Sequence, residues 1–471
     1  MPELQCKSRM SGENQPLTMA YRRTATAHDF AARQLCCYGI LGAVLALASC
    51  RMPVSAEQPG EAPEGFTPLF NGKDLDGWWG WGTKNYKDYL DLDPAELAKL
   101  QEGSRGDIRK HWRVEDGILV NDGQGLYLTT NQFYRDFELL IDYKTVPRAD
   151  SGIYLRGCPQ VQIWDSTEEG KFGIGADKGS GGLWNNAAGS PGKDPLQLAD
   201  RPFGQWNQFR IKMIGAYVNV WLNDLHIVRD AVMHNYFDRQ APMPVRGPIQ
   251  LQTHGGEIRW RNVLLREIPD AEANAYLAGL AGDDFEPIFN GRDFTGWSGP
   301  VDKNRVADGS LLSSHGTIFT EDVYDDFIVQ FQFQLPEAGN NGLAIRYPGQ
   351  GDTAYAGMCE LQVLDNTAPG YAQLKPQQYH GSIYGMVPAR RGYLRPVGQW
   401  NFQKVTVQGH HITVELNGFV ITDADISKVD PKSFMYDAAK FQGRLRTEGH
   451  FGVAGHGKPV AYRDIQIRRL E

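Results

Sequence analysis

From residue 66 onward, apolar and polar positions alternate in short runs of about four to eight residues, the period-two pattern of strands with one buried face. RVEDGILV (113–120), YRDFELLIDYK (134–144), PQVQIWDS (159–166) and CELQVLDN (359–366) are examples, and Gly, Asn and Asp punctuate the runs. ITVELNGFVIT (412–422) predicts a hairpin, because Asn417-Gly418 supplies the positive φ angles of a two-residue turn. VNVWLNDLHIV places Asn223-Asp224 in the same role. Helical spacing is confined to two places: a short helix opening at Asp93-Pro94-Ala95-Glu96, and AEANAYLAGLAG (271–282). Many short antiparallel strands with little helix predict an all-β, two-sheet sandwich of jelly-roll type.

The strand pattern is written twice. FTPLFNGKDLDGW (66–78) returns as FEPIFNGRDFTGW (285–297), RVEDGILV as RVADGSLL (305–312), and SGIYLR (151–156) as NGLAIR (341–346). PQVQIWDS matches CELQVLDN, PFGQWN (202–207) matches PVGQWN (396–401), and GPIQLQTHGGEIRWRNVLLREI (247–268) matches GHFGVAGHGKPVAYRDIQIRRL (449–470). With 471 residues, too many for one core, this is a domain duplication: a first domain at 66–268, a helical linker at 269–284 and a second domain at 285–471. One helix-bearing loop, near residue 93, belongs to the first copy alone.

Composition changes the picture at the N-terminus. Arg22, Arg23 and Arg33 precede the apolar LCCYGILGAVLALAS (35–49), too short to span a bilayer easily but suited to an export signal. Leu47-Ala48-Ser49-Cys50 resembles a bacterial lipobox, so residues 1–49 are expected to be a lipoprotein signal, Cys50 the lipidated residue and 50–65 a linker. The protein would then be membrane-anchored, facing the periplasm or cell surface; Val54-Ser55-Ala56 offers an ordinary cleavage site and a secreted or periplasmic alternative. The mature chain would keep Cys158 and Cys359 as free, half-buried thiols, with no disulfide framework. A net charge of −8 and the lack of a basic run exclude a nucleic-acid partner.

The opening F-x-x-[LI]-F-N-G-[KR]-D-[LF]-x-G-W, the [SN]-G-[IL]-x-[LI]-R block with its following Q-[IV]-x-D strand, the G-Q-W-N block and the closing strand together resemble the 3-keto-disaccharide hydrolase family. That family is also described as a 3-keto-alpha-glucoside-1,2-lyase/3-keto-2-hydroxy-glucal hydratase domain. The resemblance covers both copies and implies two tandem concanavalin A-like lectin/glucanase jelly-roll β-sandwiches. It also implies 3-keto-glycosides or related carbohydrates as substrate: a C3 carbonyl acidifies the C2 hydrogen, a base removes it, the enediolate expels the C1 substituent and water adds. Such a site needs a base, a positive group or metal facing the oxyanion, and a proton donor.

Strand alternation selects candidates independently. In NGLAIR, Ala344 and Arg346 share a face; in CELQVLDN, Glu360 and Gln362 share one while Leu361 and Val363 take the other. Arg346, Glu360 and Gln362 are therefore expected on the open face, as are Arg156, Gln160 and Gln162 in the first copy, with Tyr154 and Trp164 as stacking surfaces. Asp165 and Asp365 follow the same strand; turn-making is their first expectation, with Asp365 also a candidate substrate-binding carboxylate. His254 and His456 recur beside glycine as base, acid or ligand, and Trp78, Trp206, Trp297 and Trp400 are assigned to the core. In the second copy Arg346 would steady the enediolate, Glu360 or His456 would act as base, and His380 or Tyr384 as donor. Glu360 is Gln160 in the first copy: if this position serves proton abstraction, the second copy is catalytic and the first is a binding domain or works through other residues, and the alternative is that both are active on different glycosides. No E-x-D-x-x-E string and no zinc spacing occur; no organic cofactor is expected, and a divalent ion on oxygen ligands stays open. The competing reading is a non-catalytic, lipid-anchored carbohydrate-binding protein with two lectin-like domains.

Overall fold

The computed structural model describes residues 62–471; the expected signal, Cys50 and most of the 50–65 linker lie outside the described residues. The fold is all-β, built of antiparallel sandwiches in the jelly-roll manner. In the first copy one layer runs, edge to edge, Leu225–Val232, Tyr217–Leu222, Asn207–Ile214, Phe137–Thr145, Ile258–Glu267, Ile118–Asn121 and Trp112–Glu115. Facing it is a five-stranded layer ordered Trp78–Trp81, Tyr127–Thr130, Gln250–Leu251, Asp150–Leu155 and Cys158–Trp164. Alternation decides what lies between them. Phe137, Leu139, Ile141 and Tyr143 from one layer meet Ile153, Leu155, Val161 and Ile163 from the other in the core. Each such burial contributes roughly 1.5–3 kcal/mol. On the far face of the same strand Glu138 pairs with Arg210 and Arg266, and Asp142 with Arg261.

The second copy repeats the plan with two long strands in place of split ones. Ser310–Thr320 and His450–Arg469 pass from one layer into the other, so the hydrogen-bonded path joins both layers. His450–Arg469 pairs first with Asn340–Tyr347 and then with Phe327–Gln334. In the first copy the corresponding chain is broken into Gln250–Leu251 and Ile258–Glu267.

The duplicated opening motif is a folding device. Asn71 accepts from the backbone N–H groups of Lys73 and Asp74, Asp74 accepts from Asp76 N, and Trp78 Nε1 donates to Leu69 O at 2.9 Å. Asn290, Asp293 and Trp297 repeat the same bonds, the last to Ile288 O at 2.7 Å. Both hairpin predictions correspond to left-handed turns, at Asn223-Asp224 and Asn417-Gly418.

Three features depart from expectation. The helix opened by Asp93 runs from Pro94 to His111, because Leu97, Leu100, Ser104 and Ile108 recur at helical spacing and dock on Trp78–Trp81. Gly80 is what lets them approach: a Cβ there would sit 2.7 Å from Ile108 Cγ2. Trp206 and Trp400 are only half-buried, each under a guanidinium, Arg261 at 4.3 Å and Arg463 at 3.9 Å, rather than in the core. Cys158 and Cys359 are free but fully buried, not half-buried.

The Asp270–Gly279 helix ties the copies together. Its Tyr276 hydroxyl donates to Asp230 at 2.6 Å in the first copy, while Asn274 bonds Gln332 at 2.9 Å and Arg395 at 2.6 Å in the second. Tyr217 also donates directly to Glu415 at 3.1 Å. Among the described residues no helix is long and apolar enough to cross a membrane.

Candidate active site

In the second copy, the strand Cys359–Leu364 sends Leu361 and Val363 into the core and turns Glu360 and Gln362 to the opposite face. The neighbouring strand carries glycine where Glu360 must lie. A Cβ on Gly342 would fall 1.9 Å from Glu360 Oε1 and 2.4 Å from its Cγ, so the carboxylate rests directly over that backbone. Gln362 Nε2 donates to Asn340 Oδ1 at 2.8 Å. His456, half-exposed on the strand that crosses between layers, brings Nε2 to 3.3 Å from Glu360 Oε1. Tyr371 and Gln378 come from the loop after the Glu360 strand; Gln378 Nε2 donates to the Tyr384 hydroxyl at 3.4 Å, and Asp352 and Tyr355 enter from the Thr353–Ala356 turn of helix. These groups enclose a cavity of about 280 Å³.

The hydrogen bond to Glu360 raises the His456 pKa above its ordinary value, against the opposing effect of burial. Burial pushes the Tyr384 phenol up to about 12, so it stays protonated near neutrality. The cavity therefore joins a carboxylate, an imidazole that it helps to charge, and a phenolic donor. Among the described residues no three His, Cys, Asp or Glu side chains converge as a metal-ligand set.

Other candidates lie elsewhere. Arg346 is not on the open face: the pairing register shifts between Ala344 and Tyr347, Arg346 takes φ 49°, and simple alternation fails there. Its buried guanidinium donates to Asp325 O (2.7 Å), Gly409 O (2.7 Å), Arg446 O (2.9 Å) and Asp326 Oδ1 (2.7 Å). Arg156 does the same with Arg135 O, Gly215 O, Pro244 O and Asp136. Both are cross-links between loops, not substrate groups. His380 is buried and stacked on Phe333 at 5.1 Å; burial pushes it down to about 3, and its Nδ1 accepts from Leu364 N at 3.4 Å. That neutral imidazole is no donor to the cavity. Asp365 is consumed by a turn, accepting from Thr367 N, Thr367 Oγ1 and Ala338 N, and Asp165 makes the matching bonds. Tyr154 is covered, its hydroxyl 2.8 Å from Thr83 Oγ1, and Trp164 is buried with Nε1 donating to Gly179 O at 2.9 Å, so neither offers an open stacking face.

The first copy builds a different set on the same strands. Gln160 replaces Glu360 and donates to Gln162 Oε1; Gln162 Nε2 in turn donates to Asp150 Oδ1 at 3.0 Å. Asp150 also meets His254 Nδ1 at 3.2 Å and Lys171 Nζ at 3.1 Å. Those donors hold the Asp150 carboxyl below its usual range despite burial, and Asp150 raises the His254 pKa. Sequence reasoning passed over Asp150, Lys171, Tyr371 and Asn340. The signal was available, since Asp150 and Asn340 each stand one residue before a matched [SN]-G block.

The fold and the cleft define an antiparallel β-sandwich protein with a polar acid–base site on one layer, and comparison with known proteins defines it further. The chain belongs to the 3-keto-alpha-glucoside-1,2-lyase-like domain family, whose profile matches residues 65–266 and again 284–468. A 3-keto-disaccharide hydrolase from Bacteroides thetaiotaomicron is 23% identical over 250 residues, covering 44% of this chain and 85% of that protein. Similar solved structures include two Parabacteroides distasonis proteins assigned as glycosyl hydrolases. One is 24% identical (TM-score 0.35; 40% of this chain, 100% of that one) and the other 22% identical (TM-score 0.36; 43% and 99%).

Proposed function

We propose that this protein is a carbohydrate-active enzyme that cleaves 3-keto-glycosides, with the second copy performing the reaction. Family membership and the named relative support carbohydrate hydrolase or lyase chemistry. The observation that carries the finer reading is Glu360, laid over Gly342 and paired with His456, in a cavity that also holds Tyr384. Glu360 removes the C2 hydrogen as a proton, and the C2–H electron pair forms the C2=C3 enediolate with its charge on the C3 oxygen. The His456 imidazolium takes the role of positive group that sequence reasoning gave to Arg346. Collapse of the enediolate re-forms the C3 carbonyl, creates C1=C2 and breaks the C1–O bond. The aglycone oxygen leaves with that electron pair and takes a proton from Tyr384. Water then adds across C1=C2, hydroxyl to C1 and proton to C2, for net hydrolysis. A cavity of about 280 Å³ lies just under the usual range of ligand sites, roughly 300–1,000 Å³, and suits one sugar ring with the aglycone outside. Export as a lipoprotein anchored through Cys50 is part of the same proposal.

The test is incubation of the chain with 3-keto-glucosides, with and without added divalent metal, following 3-keto-glucose and the 2-hydroxy-glucal intermediate by mass spectrometry. Glu360→Gln is expected to lower turnover at the second copy by about 10²–10⁴-fold. Absence of turnover on every substrate, together with saturable binding of intact glycans, would replace this reading with that of a paired binding protein.

A further inference from the structure

The carboxylate lost at Gln160 is not missing from the first copy; it stands one strand away. The second copy has Asn340 and Glu360 on adjacent strands, and the first has Asp150 and Gln160 at the matching places, so amide and acid have changed sides. In each copy the central glutamine bridges to the outer residue, Gln162 to Asp150 at 3.0 Å and Gln362 to Asn340 at 2.8 Å. In each copy, too, the histidine before glycine contacts the carboxylate wherever it stands: His254 at 3.2 Å from Asp150, His456 at 3.3 Å from Glu360. A copy reduced to scaffold has no need to restore a carboxylate beneath its histidine.

We propose that the first copy holds a second, independent acid–base site, in which Asp150 orients His254 as base beside the Lys171 ammonium, and that this site takes neutral 3-keto-pyranosides against Trp184. The proposal rests on the 3-keto-glycoside reading above. Because Asp150 engages Nδ1, the Nε2 edge of a largely exposed imidazole is left to meet substrate, an arrangement in which a carboxylate fixes the tautomer of a histidine base. In the second copy the contact uses Nε2 instead, and the carboxylate itself is the base. Lys171 occupies the position of Tyr371 and adds a cation 3.1 Å from Asp150, the positive group an enediolate requires. Trp184 replaces Tyr384; it is half-buried and set edge-on to Trp164 at 6.2 Å, with Lys193 Nζ 4.9 Å from its centroid over one face, which leaves the other, wider than a tyrosine's, for a sugar ring. The neutral substrate class follows from the charges already engaged: Lys171 is shared by Asp150 and Glu168, Lys178 is paired with Asp194, and Lys193 is held on Trp184, its Nζ over the ring and donating to the carbonyl oxygen. In the reaction His254 takes the C2 proton, the enediolate forms and collapses as above, and the imidazolium returns that proton to the departing C1 oxygen. Water adds to C1=C2 as before.

The experiment uses the full chain with the second site disabled, Glu360→Gln with His456→Ala, on a panel of neutral 3-keto-α- and 3-keto-β-glucosides in D₂O. Product release and deuterium at C2 are both read. At least one glycoside should keep about a tenth or more of the wild-type kcat/KM. Adding His254→Ala, or the space-filling His254→Gln, should remove about 10²–10⁴-fold of that remainder. Adding Asp150→Asn should lower kcat with little change in KM and shift the acidic limb of the pH profile, as loss of a positioning carboxylate does. Adding Trp184→Ala should raise KM about tenfold. Wild-type turnover that vanishes in the Glu360→Gln/His456→Ala chain, with no C2 deuteration on any glycoside, overturns the second site alone. Residual turnover indifferent to His254 overturns it as well. A wild-type chain inactive on the whole panel overturns the 3-keto-glycoside reading along with it.

Discussion

Gly342→Ala tests the central geometry with a single methyl group. The added Cβ would lie 1.9 Å from Glu360 Oε1, 2.4 Å from Cγ and 2.5 Å from Cδ. Ordinary contact begins near 3.5 Å, so the carboxylate must withdraw by about 1.5 Å. Because Cγ clashes as well, bending the tip is insufficient and the side chain must change rotamer about its first bond, which breaks the 3.3 Å contact with His456. A misplacement of about 1 Å at a reacting group costs on the order of 10²-fold in rate, about 2.7 kcal/mol at 1.36 kcal/mol per tenfold. Stability should change far less, since alanine in a strand recovers roughly 0.5–1 kcal/mol of backbone entropy relative to glycine. The assay pairs steady-state kinetics in the chain carrying His254→Gln, so that only the second copy is read, with NMR titration of His456. Turnover should fall about 100-fold, and the His456 pKa, raised chiefly by Glu360, should return toward about 6.5. Wild-type kinetics with an unmoved His456 titration would refute the placement of Glu360 over Gly342 and the mechanism built on it.

Arg346→Met should destabilise the protein by about 3–5 kcal/mol in urea unfolding, because three backbone carbonyls and the Asp326 carboxylate lose at once the buried guanidinium that ties them together, and Arg346→Lys should not rescue it, since an ammonium lacks the planar fork. Unchanged stability would return Arg346 to the list of substrate groups. His380 has its folded pKa pushed down to about 3 from an ordinary value near 6.5, so the unfolded chain binds a proton that the folded chain refuses. Its contribution is fully present above about pH 6.5 and is lost as pH falls toward 3; His380→Gln should flatten the stability curve over that window, and an unaltered curve would show the imidazole to be solvated.

How far the sequence reached depends on whether a feature is local. Alternation placed Glu360 and Gln362 opposite Leu361 and Val363 because that strand is regular along its length. The same rule failed one residue before the end of the adjoining strand, where the register shift and a left-handed Arg346 turn a surface position into a buried one. Periodicity counts residues and has no means of seeing an inserted bend. His380 was misjudged for a related reason: polarity suggested a donor, whereas stacking on Phe333 and the lack of solvent decide its charge. The Asp93 helix was read too short because Gly103 and Gly106 interrupt a pattern whose apolar face becomes evident only against Trp78–Trp81.

Duplication itself explains which parts were easiest to read. The Asn-Gly-Arg/Lys-Asp opening, the hairpin turns and the buried arginines all close backbone hydrogen bonds within their own copy, and each copy needs its own set to fold. The cleft is under no such demand, since one carboxylate beneath one histidine can be supplied from either of two adjacent strands. Comparing positions one by one therefore registers Gln160 as a loss and Asp150 as noise. The paired sheet shows them to be one exchange, because strand register sets Asp150 and Gln160 on the same face with Gln162 between them. A site on a sheet is a property of neighbouring strands, and its chemistry is best sought across the register rather than along the chain.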